Sequence, residues 1–209
     1  MLLLSHRGYW KSAEEKNRIN AFERSFALGF GTETDLRDYR GALVISHDIA
    51  DEHSLPLADF FDLYRQMGTN LPLALNIKAD GLQAKLESAL DRYAIRNYFV
   101  FDFSIPDGLL YLNAGQPIFT RQSEYEAQPA FYAQASGVWM DGFHGDWMQE
   151  QEIAQHLDAG KRVCLVSPEL HQRPHLALWQ RLAALPFVSV DALILCTDYP
   201  EEARRFFNG

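Results

Sequence analysis

The sequence has few cysteines and no long apolar run. Its two cysteines, Cys164 and Cys196, each lie within an apolar segment, which predicts buried reduced thiols, and their spacing gives no indication of a zinc site. No stretch approaches the about 20 apolar residues that a membrane-spanning helix needs. The opening MLLL is too short for the apolar part of a signal peptide. These absences predict a cytoplasmic protein that does not insert into membranes.

Positive charge is scarce as well. The 209 residues include 19 Lys and Arg against 28 Asp and Glu, a formal net charge of −9. No basic stripe is present, so generic binding to nucleic acid or to anionic membranes is not expected. A phosphate-containing substrate stays possible, because one local cluster of cations can override the global sign. The composition, 47% hydrophobic and 22% charged, is that of a globular protein, and the length predicts a single domain over 1–209.

Short apolar runs alternate with amphipathic stretches along the chain. Candidate strands are 2–5, 30–36, 42–46, 72–78, 98–104, 117–120, 137–141, 162–167 and 191–197, and candidate helices are 17–28, 57–67, 81–95, 149–158 and 173–185. Such alternation predicts an α/β protein with a parallel sheet, and the number of strands favours a compact (β/α)₈ TIM barrel. An open doubly wound sheet is the alternative, although no G-x-G-x-x-G follows a strand. Residues 105–136 have poor periodicity and predict loops or short helices.

Polar residues stand where the candidate strands end. They are His6, Arg7, Glu33, Asp35, His47, Asp48, Asn76, Lys78, Asp102, Asp141, Thr197 and Asp198. In a parallel barrel all these positions lie on the carboxyl-terminal face, where barrel enzymes carry their active sites. The sequence therefore predicts an active site on that face.

The residue types at these strand ends predict phosphodiester chemistry. Glu33 and Asp35 are two apart and share one face of a strand, where their oxygens suit Mg²⁺ or Ca²⁺. Two acids paired with arginines would be the purely structural interpretation. Arg7 and Lys78 supply cations for phosphate oxygens. His6 and His47 titrate near neutrality and suit a general acid and a general base. The other five histidines, at 53, 144, 156, 171 and 175, are expected on the surface.

The segment from residue 5 to residue 48 resembles the amino-terminal signature of the glycerophosphodiester phosphodiesterase family. The matching residues are His6-Arg7-Gly8, Asn17, Ala21-Phe22, Glu33-x-Asp35 and His47-Asp48, with weaker similarity at Thr197, Asp198 and Pro200. The resemblance implies a (β/α)₈ barrel that hydrolyses small phosphodiesters of lipid metabolism with a divalent cation. It further implies His6 and His47 as the catalytic pair, Glu33 and Asp35 as metal ligands, and Arg7 and Lys78 as phosphate-binding residues.

Two positions depart from the family's pattern. Asn76 stands where the family has an acidic third metal ligand, and its amide oxygen is predicted to bind the metal without supplying charge. Asp102 or Asp141 would have to restore that charge, and Asp141 is the predicted additional ligand. Lys16 stands where the family has an acid. Trp139, on the same strand face as Asp141, is a candidate substrate-binding residue, although core packing is the commoner use of tryptophan. A non-catalytic phosphodiester- or phosphosugar-binding barrel and a lyase that releases a cyclic phosphate remain alternatives. The sequence does not indicate an oligomeric state.

Overall fold

The computed structural model describes residues 1–67 and 70–208. Within these ranges the chain forms ten strands and seven α-helices. The strands are β1 Leu2–His6, β2 Gly31–Tyr39, β3 Ala42–Ile45, β4 Leu55–Pro56, β5 Leu73–Ile77, β6 Tyr98–Phe101, β7 Phe119–Gln122, β8 Gly137–Met140, β9 Arg162–Val166 and β10 Leu193–Thr197. The helices are α1 Ile19–Ala27, α2 Leu57–Gln66, α3 Gln83–Arg92, α4 Ile105–Asn113, α5 Glu150–Asp158, α6 Leu176–Ala183 and α7 Pro200–Asn208.

Eight of the strands form a closed parallel ring. Their order is β1-β2-β5-β6-β7-β8-β9-β10, and β10 pairs with β1 in parallel. Between β6 and β7 the ring closes through a parallel bridge from Val100 to Ile118, where the Val100 amide donates to the Pro117 carbonyl at 3.0 Å. The prediction of a (β/α)₈ barrel is confirmed, and the open doubly wound sheet is excluded because the first and last strands pair with each other.

The third strand differs from the prediction. β3 pairs with β2 in antiparallel register, with Leu36 opposite Ile45 and Tyr39 opposite Ala42, and the two-residue β4 pairs with β3. Segment 42–46 is therefore not a strand of the barrel. The long β2 extends beyond the barrel's carboxyl-terminal face and β3 returns towards it, so His47 reaches that face through a hairpin.

Apolar side chains fill the space inside the ring. They are Leu4, Ala74, Phe99, Phe101, Phe119, Trp139, Cys164, Val166, Ile194 and Cys196. Phe99 stacks on Phe119 with ring centroids 3.7 Å apart, and Phe101 stacks on Trp139 at 3.9 Å. Both cysteines are buried and free, as the sequence predicts. Two further apolar clusters lie between the ring and the helices.

The helices agree with the prediction over most of the chain. All five candidate helices are present, with ends shifted by a few residues. α4 falls in the segment expected to hold loops or short helices, α7 was not predicted, and β7 connects to β8 without a helix. No helix in the described ranges is long and apolar enough to cross a membrane.

Candidate active site

His6 ends strand β1 and faces the last strand of the barrel. Its Nδ1 lies 2.7 Å from Oδ1 of Asp198, which directly follows β10, because β1 and β10 are neighbours with Ser5 opposite Thr197. Burial lowers the pKa of His6, and the hydrogen bond and charge of Asp198 offset this only in part. The pairing favours a neutral imidazole with the proton on Nδ1 and the Nε2 lone pair free.

Arg7 and Gly8 form the turn that leaves β1. Both adopt the left-handed region, with φ of 58° and 81°, which is costly for an arginine and easy for glycine. A Cβ on Gly8 would lie 2.8 Å from the Cβ of Ala21 in α1, so this position requires glycine. The turn sends the Arg7 side chain across β2, where its Nε lies 3.0 Å from Oδ2 of Asp35.

Asp35 is fully buried among donors and cations. Besides Arg7, the Asn17 amide donates to its Oδ2 at 2.8 Å, and Nζ of Lys78 lies 3.6 Å from Oδ1. Lys78 also lies 3.5 Å from Asp102. This network neutralises a buried carboxylate, which would otherwise be very costly. It also fixes both cations at the carboxyl ends of the strands.

Glu33 lies two residues earlier on the same face of β2, and fewer cations and donors offset the cost of burying its carboxyl group. Its side chain is 2% exposed, and its Oε2 lies 4.0 Å from Nε2 of His6. Burial and the charge of Asp35 raise the pKa of Glu33 to about 8, although Arg7, Lys78 and a hydrogen bond from Asn76 act in the opposite direction. Glu33 therefore keeps its proton at pH values where an exposed glutamate is charged.

His47 approaches from the β2–β3 hairpin. The Ser46 amide donates to the Asp35 carbonyl at 3.0 Å, and the Arg37 guanidinium donates to the His47 carbonyl. Nδ1 of His47 lies 2.9 Å from Oδ1 of Asp48, and the imidazole is 44% exposed. The two histidines thus differ, since one is buried in the barrel and the other is open to solvent.

A cavity of about 300 Å³ collects these side chains. Eight of the nine predicted site residues line it: His6, Arg7, Glu33, His47, Asn76, Lys78, Trp139 and Asp141. The ninth, Asp35, is completely buried and contacts the cavity residues Arg7 and Lys78. Trp139 was a candidate for substrate binding or for core packing. It does pack in the core, stacked on Phe101 inside the ring, and it also lines the cavity.

The structure adds residues that the sequence did not indicate. Arg121, at the end of β7, and His171, in the 3₁₀ turn after β9, both line the cavity. Arg121 pairs with Asp102 and Glu126, and Nε2 of His171 lies 2.6 Å from Oδ1 of Asp141. That hydrogen bond raises the pKa of His171. The position of Arg121 at the end of a strand was the available signal, whereas His171 lies five residues beyond its strand.

The expectation of five surface histidines is wrong for three of them. His171 lines the cavity, His156 is buried between Tyr132 and Gln122, and the side chain of His175 is only 15% exposed. In each case tertiary contacts cover an imidazole that lies in a loop or on a helix.

The barrel has the same fold as several solved structures. The chain matches a glycerophosphodiester phosphodiesterase from Agrobacterium tumefaciens with a TM-score of 0.76, 16% identity and full coverage of both chains. It has the fold of the glycerophosphodiester phosphodiesterases. A phosphodiesterase from Oleispira antarctica, solved with the product sn-glycerol-3-phosphate, matches with a TM-score of 0.70 and 15% identity over 100% of this chain and 97% of the other.

A more distant match lies outside the glycerophosphodiester phosphodiesterases. It is a Ca²⁺-dependent phosphatidylinositol-specific phospholipase C from Streptomyces antibioticus, with a TM-score of 0.58 and 11% identity over 99% and 95% of the two chains. No protein-family model and no curated protein matches the sequence. The structural matches therefore establish the fold, which is the one that the amino-terminal motif implies.

In this glycerophosphodiester phosphodiesterase fold, the chemistry of Glu33, Asp35 and Asn76 fits a divalent cation. Oδ1 of Asp35 and Oδ1 of Asn76 are buried without a hydrogen-bond partner, and register places Asp35 opposite Asn76. Oxygen ligands of this kind suit Mg²⁺ or Ca²⁺. No group of three or more His, Cys, Asp and Glu side chains is arranged for a metal within residues 1–67 and 70–208, so Glu33, Asp35 and Asp141 do not meet as three carboxylate ligands.

Proposed function

We propose that this protein is a divalent-metal-dependent phosphodiesterase that hydrolyses a glycerophosphodiester or a related small phosphodiester. The main support for this proposal is the cavity at the carboxyl ends of the barrel strands, where two histidines, two cations and a buried pair of acids meet. The fold of the neighbours supports the reaction class, and the product bound to the Oleispira antarctica protein supports a small glycerol-containing substrate.

In this proposal the phosphodiester binds between the cations of the cavity. Arg7 and Lys78 contact the phosphate oxygens, and both are oriented by Asp35. Arg121, tied to Asp102, adds positive charge on the wall formed by β7. Preorganised cations of this kind stabilise the charge that develops in the transition state.

Glu33, Asp35 and Asn76 would hold the cation. The sequence predicts Asp141 as a further metal ligand, but one of its carboxylate oxygens is bonded to His171. A bound divalent cation would polarise a phosphoryl oxygen and neutralise charge. Because Glu33 has a pKa raised to about 8, the loaded site should require its deprotonation, so binding should strengthen as the pH rises.

We assign His6 as the general base and His47 as the general acid. His6 is buried, has a lowered pKa and has its Nδ1 bonded to Asp198, so Nε2 can accept a proton from the attacking water. His47 is more exposed, and its Nδ1 is bonded to Asp48, so its Nε2 faces the open side of the cavity, where it can donate a proton to the departing alcohol oxygen.

The test is turnover of a panel of glycerophosphodiesters followed by ³¹P NMR with Mg²⁺, Ca²⁺ or EDTA. The proposal predicts glycerol phosphate and free alcohol, lost on chelation and in His6→Ala. A cyclic phosphate that persists would indicate a lyase. Binding of the diesters without product under every metal condition would overturn the proposal in favour of a non-catalytic binding barrel, which the amide of Asn76 in the acidic set would then explain.

A further inference from the structure

A second cavity, of about 530 Å³, adjoins the catalytic cavity. The two share Arg7 and His47. The rest of its wall comes from the segment that leads into α1 and from the loop between β3 and β4. Its charged and titratable lining residues are Arg7, Lys16, Arg18, His47, Asp48, Asp51 and His53. A group placed there would lie beside the histidine that we assign as the general acid.

The two additional cations of this wall have no acidic partner. Nζ of Lys16 lies 4.4 Å from the ring centroid of Trp10, and Nη1 of Arg18 donates to the His53 carbonyl at 2.8 Å. Neither forms an ion pair in the part of the chain that the structure describes. Asp48 and Asp51 on the same wall balance their formal charge, but neither acid lies within ion-pair distance of Lys16 or Arg18.

The two acids of the wall are already engaged. Asp48 is 94% exposed and bonded to His47. Oδ1 of Asp51 accepts from the His53 amide at 2.9 Å and from Oγ of Ser54 at 3.3 Å. Neither acid therefore forms an ion pair with Lys16 or Arg18, and the ammonium and guanidinium groups keep donors that an anionic ligand can use.

We propose that this second cavity is a subsite for an anionic alcohol, so that the preferred substrate is a phosphodiester whose departing alcohol carries a further phosphate or carboxylate. The inference rests on the proposed function. Its described lining residues include no Phe, Tyr or Trp, and an aromatic cage is what a quaternary ammonium group would need. Lys16 and Arg18 supply charge-assisted hydrogen bonds instead.

The reaction balances as a hydrolysis. The oxygen of water forms the new bond to phosphorus and its proton passes to His6. The bond from phosphorus to the charged alcohol breaks, and the alcohol oxygen takes a proton from His47. Lys16 and Arg18 hold the charged end of the alcohol throughout and take no part in proton transfer.

Three diesters that differ in one group test the subsite. They are glycerophosphoglycerol, the same molecule with its terminal hydroxyl phosphorylated, and the same molecule with that carbon oxidised to a carboxylate. We expect kcat/KM for at least one charged diester to exceed that of the neutral diester by about tenfold, mainly through KM. The phosphate and carboxylate arms identify which anion fits.

Charge-removing variants locate the effect. Lys16→Gln and Arg18→Gln should each reduce the ratio of kcat/KM between charged and neutral diesters severalfold, and together bring it close to one. Lys11→Gln is the matched control, since Lys11 is an exposed lysine of the same segment that does not line the cavity, and its ratio should equal that of the wild type.

Equal kcat/KM for all three diesters, or a preference that survives in the double variant, would overturn the subsite while leaving the phosphodiesterase intact. If no diester is turned over, the proposed function fails, and calorimetry of the same three diesters then decides the subsite. Tighter binding of a charged diester that is lost in the double variant would support it, and equal binding would refute it.

Discussion

The two halves of the barrel contribute to the site in different ways. The first half, β1 to β5, carries a polar interior at its carboxyl end, with Glu33, Asp35 and Asn76 buried beside the cations Arg7 and Lys78. The second half, β6 to β10, fills the ring mainly with stacked aromatic side chains. Its polar side chains either bond to residues of the first half, as Asp198 does to His6, or line the cavity, as Arg121 and His171 do. In the proposed site the reacting groups are thus concentrated in one half, and the other half supplies the residues that orient them and close the cavity.

The largest expected effect comes from removing a reacting group of the first half. His6→Ala should lower kcat by about a thousandfold, the range found for loss of a positioned general base, because within residues 1–67 and 70–208 no other imidazole is bonded to Asp198. The measurement is ³¹P NMR turnover with saturating substrate and metal. His144→Ala is the control, since His144 does not line the cavity. Near-wild-type activity in a folded His6→Ala would show that the first half does not carry the base.

A smaller loss should follow from removing the partner in the second half. Asp198→Asn retains the size of the side chain but removes the charge that orients the imidazole, and we expect kcat to fall by about a hundredfold. The hydrogen bond between Nδ1 of His6 and Asp198 should also disappear from the low-field proton NMR spectrum. A loss of kcat as large as that in His6→Ala would mean that Asp198 does more than orient His6, and the contrast between the two halves would fail.

The excess of buried acid in the first half should make the metal-free protein sensitive to pH. The folded-state pKa of Glu33 is about 8, above its usual value of 4.5. Between these values the native state binds the proton and the unfolded state does not. The stability that Glu33 contributes is therefore fully present below pH 4.5 and is lost as the pH rises through 8, by at most about 1.4 kcal/mol per pH unit.

Thermal unfolding in EDTA checks this expectation. The Tm of the wild type should fall between pH 5 and pH 8, and Glu33→Gln should show a shallower decline over the same range. Adding Mg²⁺ or Ca²⁺ should raise Tm more at pH 8 than at pH 5 if the cation needs the deprotonated carboxylate. Parallel wild-type and variant curves would remove Glu33 as the source.

The smallest effect should come from the cavity wall of the second half. His171→Gln removes a side chain that is bonded to Asp141 and contacts the Phe143 ring with centroids 4.9 Å apart. We expect KM to rise by about fivefold, with kcat nearly unchanged, since a wall group contributes binding more than chemistry. Steady-state kinetics separate the two parameters. A fall in kcat comparable to that of Asp198→Asn would place His171 among the reacting groups.

Much of the first half could be predicted from the sequence because its residues are local. His6-Arg7-Gly8, Glu33-x-Asp35 and Asn76-x-Lys78 each follow an apolar run, and parallel strands bring such positions to one edge. The purely structural interpretation of Glu33 and Asp35 was also partly right, because Arg7 does pair with Asp35. His47 was placed correctly for an incomplete reason, since a hairpin rather than a barrel strand brings it to the site.

The second half was harder to predict because its contacts join distant segments. The partners His6 and Asp198 are 192 residues apart, and Asp141 and His171 are 30 apart. Spacing within one segment cannot specify which strand-end group meets which. His171, His156 and His175 lie in loops or on helices, so their local pattern gave no indication of burial.

The sequence by itself determined the alternation of strands and helices, the burial of the cysteines and the residue types at the strand ends, because hydrophobic period and local spacing act over a few residues. Only the tertiary structure decided that the ring closes between β1 and β10 and that Asn17 and two cations surround Asp35. It also decided that Lys16 and Arg18 face a second cavity and form no ion pair with any described residue. These features depend on closure of the barrel, which sets distances between residues that no local pattern relates.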